Sequence, residues 1–479
     1  MSIQTPPIKT KNTLSGFLFL SLVLAVIVLI VFLMPLEPSD FWPYLRIGSE
    51  ITLTGAITTT EIMNYTALGQ PANYSYWLAS LIFLGTYQAG GLALIALLTA
   101  LCVSVLYGLL WACLCHFKIG QISASLIVLL TALMGSNNWS TRPQVLAFPL
   151  FGLCLLILIK WQAGNHRWLW ALPLITLLWV NLHGSFILIF VIMFTALIFG
   201  EGRRRWLLVV IALSLAATLV NPAGLDIWKN ALGMIGSGLI KTYSFEWQPP
   251  INQGWQMNLF FGSLLLMAMV TAFSSVRLKK LWWVLFLGFG WMALSSARYI
   301  LWFTLIEALL LAKLSAPWLE KFLDKRPVFS NRAANLVLGV IVLASTLAFL
   351  PGLRQHWWKQ APPDLADTTP VKAVEWLAQH PELPDHLWAN WAANIYMTYA
   401  LPQRQVWITN RIEDLTEELL LENKKLMRAS YDWQAILDKY DVRLLLLDQK
   451  VDVQLINAVA TTSDWHEVYR DEYSVIYQK

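Results

Sequence analysis

Eleven apolar runs fill the first three quarters of the chain, at about 14–36, 91–115, 120–136, 143–160, 167–182, 184–200, 205–222, 257–275, 280–297, 299–316 and 334–352. Most approach the roughly 17 to 25 residues a helix needs to cross a bilayer. Such runs leave few folds open, because backbone amides in hydrocarbon must be satisfied within the segment or a closed barrel. The chain is 57% hydrophobic and 13% charged, with 25 Trp among 479 residues, where a soluble domain carries about 25% charge. The expected class is an α-helical polytopic membrane protein with about eleven transmembrane helices. The first run follows Lys9 and Lys11, is too long for a signal-peptide core and lacks an Ala-x-Ala site, so it reads as an uncleaved span.

Charge then orients the spans. With a cytoplasmic N-terminus, the inner loops collect His116-Phe-Lys118, Lys160 to Arg167, Arg203-Arg204-Arg205, Arg277 to Lys280 and Lys313 to Arg332. The outer loops hold no basic run. This asymmetry predicts the N-terminus inside and the C-terminus outside. The net charge of +5 follows from these loops and gives no reason to expect a nucleic-acid partner. Cys102, Cys113, Cys115 and Cys154 all lie inside apolar runs and read as small membrane-core residues, with no disulfide framework.

On this topology the isolated polar residues at span ends gather outside: Asp40 and Glu61 in the first outer loop, Arg142 and Gln144 opening the fourth span, and Asn181 and His183 in the turn between the fifth and sixth. Asn221, Glu246 and Arg298 follow. Any one of them reads equally well as an interface anchor, but their convergence predicts an outward-facing polar cavity. The first outer loop, 37–90, is long for a connection. Asp40 opens a short amphipathic helix with Phe41, Tyr44, Leu45, Gly48 and Ile51 on one face, and Pro43 is tolerated in its first turn. That helix is expected to lie flat in the interface, and a second one to end near Gly90-Gly91. Tyr65, Tyr74, Tyr76 and Trp77 suit a headgroup belt or a sugar face.

After Pro351-Gly352 the composition turns soluble. Residues 353–479 alternate helical runs near 370–379, 415–427 and 432–439 with strand-like runs at 386–391, 405–408, 442–447 and 465–477. They predict an extracytoplasmic α/β domain behind a membrane domain at 1–352.

With these residues located, the chain resembles the C-type (GT-C) superfamily of polytopic glycosyltransferases, and more closely a bacterial group of such proteins whose substrates are unassigned. The resemblance rests on Asp40 to Gly48, Arg142-Pro143-Gln144, Val180-Asn-Leu-His183-Gly184, Asn221-Pro-Ala-Gly224, Glu246-Trp-Gln-Pro-Pro250 and Arg298. Three departures stand out. Trp42-Pro43-Tyr44 replaces an aromatic pair followed by His, Trp391-Ala-Ala-Asn-Ile-Tyr396 replaces aromatic-x-Gly-Gly-Tyr, and Thr409-Asn410-Arg411 replaces Asp-Gly-Arg.

The resemblance implies a bacterial inner-membrane enzyme that moves a sugar from a polyprenyl-phosphate donor to an acceptor on the outer face, by inversion. It makes Asp40 the general base and Arg142, Gln144, His183, Glu246, Arg298 and Glu61 the candidates for substrate or phosphate binding. Arg suits phosphate through its forked donors. Glu61 or Glu246 could hold a divalent cation, although no Asp-x-Asp pair occurs in the first loop. Against these readings, Asp40 could merely cap its helix, His183 could make a structural hydrogen bond, and Glu307 could be an intramembrane functional acid or a paired one. Trp139, Trp179 and Trp255 read as interface anchors. The other function classes are a lipid or glycan transporter and a non-catalytic subunit of a protein complex.

Overall fold

A computed structural model describes residues 14–324 and 332–479; Lys9, Lys11 and part of the expected Lys313 to Arg332 loop lie outside them. A helix occupies each of the eleven apolar runs, but their lengths differ. By length and composition, four among the described residues suffice to cross a membrane: Trp77–His116, Pro143–Gln162, Gly254–Phe273 and Ala297–Leu323. Leu18–Leu33, Gly184–Phe199, Lys280–Ser295 and Leu336–Ala348 are shorter apolar helices. Helices Gln121–Gly135, Leu172–Leu182 and Arg204–Thr218 have only 15, 11 and 15 residues. At about 1.5 Å per residue they fall short of a hydrocarbon core about 30 Å thick. Their apolar runs include flanking turns that periodicity does not separate from helix.

One core joins these helices, with rings at its centre: Trp302 lies 5.4 Å from Phe148, 4.8 Å from Phe151 and 6.2 Å from Trp179. Trp139 and Trp179 are therefore buried packing residues rather than interface anchors, whereas Trp255 is exposed. Glu307 is also fully buried, with Ser263 as a hydrogen-bond partner 2.9 Å away. The helix Trp77–His116 loses helical geometry at Gly90 and Gly91, the latter at φ +57°, which only glycine adopts freely. The break divides the element into two helices, Trp77 to Ala89 and Leu92 to His116.

The Asp40 helix, Phe41–Thr54, departs from expectation. Phe41, Trp42, Leu45 and Ile47 are all buried, because the helix is clamped on two sides rather than floating in lipid. One side packs on Trp77–His116, where Gly48 permits the approach: a Cβ there would meet the Ser80 carbonyl oxygen at 2.6 Å. The other side meets the C-terminal helix Trp391–Ala400, with Trp42 4.9 Å from Tyr396.

The C-terminal region forms one sheet of β1 (Leu387–Ala389), β2 (Leu444–Asp448), β3 (His466–Arg470) and β4 (Ser474–Gln478) in the order β1-β2-β4-β3. β1 and β2 are parallel, and the other pairs antiparallel. The unbroken Leu444–Leu447 run is explained by burial on both faces. Leu444, Leu446 and Ile476 join one core with Val374 and Met397, while Leu445, Leu447 and Val475 join another with Leu420 and Leu437. Two expectations fail here. The strand-like run at 386–391 gives a strand only over Leu387–Ala389, because Asn390 starts the helix Trp391–Ala400 by accepting from the Ala393 N–H at 3.1 Å. Residues 405–408 form no strand of the sheet. Instead Val406 pairs with the first loop, donating to the Met63 carbonyl at 2.9 Å and accepting from the Tyr65 N–H at 3.0 Å. Arg354, fully buried, adds a second tie by donating to the Phe32 and Pro363 carbonyls and pairing with Asp364.

Candidate active site

Between the membrane helices and the C-terminal region lies a cavity of about 1750 Å³. Asp40, Arg142, Gln144, His183, Glu246 and Arg298 all line it. Glu61 does not. It is buried in the first loop, where Oε1 accepts from the Met63 and Asn64 N–H groups at 2.6 and 3.1 Å and Oε2 faces the Tyr74 hydroxyl at 3.4 Å. With both oxygens engaged it shapes the loop and stays out of the cavity lining. Among the described residues, no three His, Cys, Asp or Glu side chains cluster closely enough to hold a metal.

Local geometry sets each side chain. Pro143 occupies the first turn of its helix and holds Arg142 extended, at φ −143°, at the helix mouth. His183 ends the helix Leu172–Leu182, likewise extended. Its turn is knotted by Asn221, whose amide reaches the Ser75 and Val180 carbonyls at 2.9 and 3.1 Å, and by Trp77, which donates to Asn181 at 2.8 Å. Tyr74, Tyr76 and Trp77 are thus tied into protein. Arg298 follows the extended Ser296, whose hydroxyl donates to the Glu246 carbonyl at 2.9 Å.

Glu246 bridges two guanidiniums, hydrogen-bonded to Arg142 and 3.5 Å from Arg298. Burial opposes its charge, but the two arginines outweigh burial and hold its pKa below the usual carboxylate range. Burial likewise opposes charge on Arg142, and Asp40 and Glu246 outweigh it, raising its pKa.

His183 shows its polarity through its partners. The Ser185 N–H, a fixed donor, points at Nδ1 from 3.1 Å, so Nδ1 carries no proton. Trp179 donates to the Ser185 hydroxyl at 3.0 Å, freeing that hydroxyl to donate to Nδ1 at 2.8 Å. Burial first, then Arg298 and Arg142, push the imidazole pKa well below its ordinary value. His183 is therefore neutral with its proton on Nε2, and Nε2 stands 3.4 Å from Arg298 Nη2. Two donors at that distance make no hydrogen bond to each other, so both N–H groups are free to serve one acceptor lying beside them in the cavity.

Asp40 does not cap its helix, since no backbone N–H reaches its side chain. Its Oδ1 accepts from the Asn410 amide instead. The neighbouring Ser39 hydroxyl fixes the loop by donating to the Thr141 carbonyl at 3.0 Å, next to Arg142. Asn410, Arg411, Glu413 and Asp414 also line the cavity, and reading the sequence missed them as site residues. Arg411 donates to Asp414 at 2.7 Å and to the Asn73 carbonyl at 2.8 Å, and lies over the Tyr74 ring. The available signal was the polar run Thr409-Asn-Arg-Ile-Glu-Asp414 directly after the apolar Val406-Trp-Ile408. The cavity thus holds a carboxylate oriented by an amide, and a set of donors suited to phosphate, with apolar Ile187, Leu188, Val191 and Met292 also in its lining.

No protein-family model and no curated protein matches the chain. Solved structures do. A mutant of the arabinofuranosyltransferase AftD from Mycobacteria aligns with a TM-score of 0.58 at 15% identity, over 96% of this chain and 41% of that one. This chain therefore spans well under half the length of that relative. ArnT from Cupriavidus metallidurans, bound to undecaprenyl phosphate, aligns with a TM-score of 0.49 at 13% identity, over 97% of this chain and 98% of that one. The chain shares its fold with the aligned part of the arabinofuranosyltransferase AftD.

Proposed function

We propose that the chain is a membrane glycosyltransferase that takes a sugar from a polyprenyl-phosphate donor and passes it to an acceptor hydroxyl at this cavity. The observation that carries the reading is that Asp40, oriented by Asn410, shares one hollow with the donor pair Arg298 and His183. The acceptor oxygen attacks the anomeric carbon, its proton passes to Asp40, and the bond from that carbon to the phosphate oxygen breaks. The lipid phosphate leaves with the electron pair into the field of Arg298, Arg142 and the Nε2–H of His183. Attack opposite the leaving phosphate inverts the anomeric centre. Ile187, Leu188, Val191 and Met292 give the polyprenyl chain an apolar approach. The reading keeps the N-terminus cytoplasmic, the cavity and C-terminal region outside, and the protein in a bacterial inner membrane.

That the fold also serves an arabinofuranosyltransferase supports the reaction class. The replacement of Asp-Gly-Arg by Thr409-Asn410-Arg411 is compatible with activity, because Asn410 engages Asp40 and Arg411 is held by Asp414. This favours an enzyme over a subunit that has kept only the fold. The test is Asp40→Asn in the full chain. It should abolish sugar transfer from a polyprenyl-phosphate sugar, a loss of about 10²-fold or more, with the melting temperature held. Transfer at the unchanged rate would remove Asp40 as the base.

A further inference from the structure

The cavity is larger than the roughly 300–1,000 Å³ of most small-ligand sites, and its outer wall carries a charge pattern that the donor lipid does not use. Residues 353–479 hold 13 Lys and Arg against 19 Asp and Glu, so the C-terminal region is acidic as a whole. Where it faces the cavity the balance reverses: Arg411, Lys424, Arg428 and Lys450 line it against Glu413 and Asp414. Both of those acids sit on Arg411, at 3.8 and 2.7 Å.

The remaining cations are left over. Lys424 and Arg428 are exposed at the end of the helix Glu417–Met427 and make no ion pair among the described residues. Lys450 is 67% exposed, pairs loosely with Asp367 at 3.7 Å and lies 5.0 Å from the Tyr473 ring centroid. Lys229, from the helix Asp226–Gly236, adds a further unpaired cation to the lining. Away from the cavity, Lys425 pairs with Asp432 at 2.7 Å, Lys439 with Glu418 and Glu422 at 2.7 Å, and Arg443 with Asp441 at 2.8 Å, while Lys359, Lys372 and Arg404 make no ion pair among the described residues. Unpaired like charges around one hollow repel each other and attract anions into it. Glu413 and Asp414, both held by Arg411, are the carboxylates that the described residues of 353–479 turn to the cavity, so the charge of Lys424, Arg428 and Lys450 is not balanced within this wall.

We infer that this outer wall is an acceptor subsite for a saccharide bearing phosphate or carboxylate groups. The inference rests on the transferase reading and names the class of its acceptor. The charged groups are held by Lys424, Arg428, Lys450 and Lys229, and a sugar hydroxyl of the same molecule is presented to Asp40.

The test uses the full chain in nanodiscs of phosphatidylcholine, which offers no net anionic lipid to compete. Fluorescent oligogalacturonate, fluorescent phosphorylated maltooligosaccharide and the unmodified maltooligosaccharide are titrated by anisotropy. Both charged probes should bind, more weakly as salt rises, and the neutral one should not bind over the same range. The triple variant Lys424→Gln, Arg428→Gln, Lys450→Gln should weaken the charged probes about tenfold, as three exposed charge contacts imply. The control triple Lys425→Gln, Lys439→Gln, Arg443→Gln should leave binding unchanged, and melting temperatures report folding in both. Equal binding of neutral and charged probes overturns the inference, as does unchanged affinity in the first triple or an equal loss in the control. If undecaprenyl phosphate binds and Asp40-dependent transfer stands while the charged probes fail, only the inference falls. If the charged probes bind as described and transfer fails, the transferase reading falls and the anionic subsite remains.

Discussion

His183 joins two roles that its sequence position alone leaves as alternatives. Its Nδ1 makes the structural hydrogen bonds that close the 183–185 turn, and those bonds force the other nitrogen to be a donor toward the cavity. A pH dependence follows. The unfolded chain binds a proton at this side chain near pH 6.5, whereas the folded one, by burial and then by Arg298 and Arg142, resists it until well below that. Between the two values the unfolded state holds more protons, so the stability contributed at neutral pH is lost as pH falls below about 6.5. The melting temperature should therefore drop more on acidification in the unaltered protein than in His183→Asn, whose amide oxygen can still accept from the Ser185 N–H. Parallel slopes in the two proteins would sink this account. At this scale the polar residues that interrupt the apolar runs stand out in the sequence, because hydrocarbon tolerates few such groups, and Asp40, Arg142, Gln144, His183, Glu246 and Arg298 line one cavity. Asn410 does not, since its partner Asp40 lies 370 residues away in sequence and no local pattern encodes that meeting.

The helix Phe41–Thr54 shows how much an element's sequence says and where it stops. Its start, its first-turn proline and its end at Gly55, φ +68°, are all written locally. Its environment is not. An apolar face looks the same whether lipid or protein covers it, and here protein covers both sides. Gly48 gives the measurable consequence. Alanine at this position brings a methyl group to 2.6 Å from the Ser80 carbonyl oxygen, and backbone cannot rotate aside as a side chain would. The helix must move off its seat, at a cost of about 1–3 kcal/mol, and Asp40 moves with it. Gly48→Ala should lower both the melting temperature and the transfer rate. Gly85→Ala, on the same long helix and with open space at its Cβ position, should change neither. A Gly48→Ala protein that melts and works normally would show that the contact is slack.

At the scale of the whole molecule, the change from apolar helical runs to a more polar C-terminal region is visible in composition, but the boundary is stitched in ways composition does not reveal. Leu36 donates to the Asp364 carbonyl at 2.9 Å and accepts from the Ala366 N–H at 3.0 Å. Val406 accepts from the Tyr65 N–H and donates to the Met63 carbonyl, Thr66 donates to the Trp407 carbonyl at 2.7 Å, and the Tyr65 ring stacks 4.5 Å from His386. Backbone pairing across so many residues accounts for the strand-like pattern at 405–408, whose partner is the first loop and not the sheet. The stitching also decides whether the site can stay assembled, because the Asp40–Asn410 contact spans the same seam. If the seam opens only when the C-terminal fold itself opens, the amides of Tyr65, Val406 and Ala366 should exchange with solvent on the slow timescale of Leu445 and Leu446 in β2. Native-state hydrogen exchange in nanodiscs reads this directly. Seam amides that exchange as fast as those of an exposed loop, while β2 stays protected, would mean that the two parts separate freely and that Asp40 meets Asn410 only part of the time.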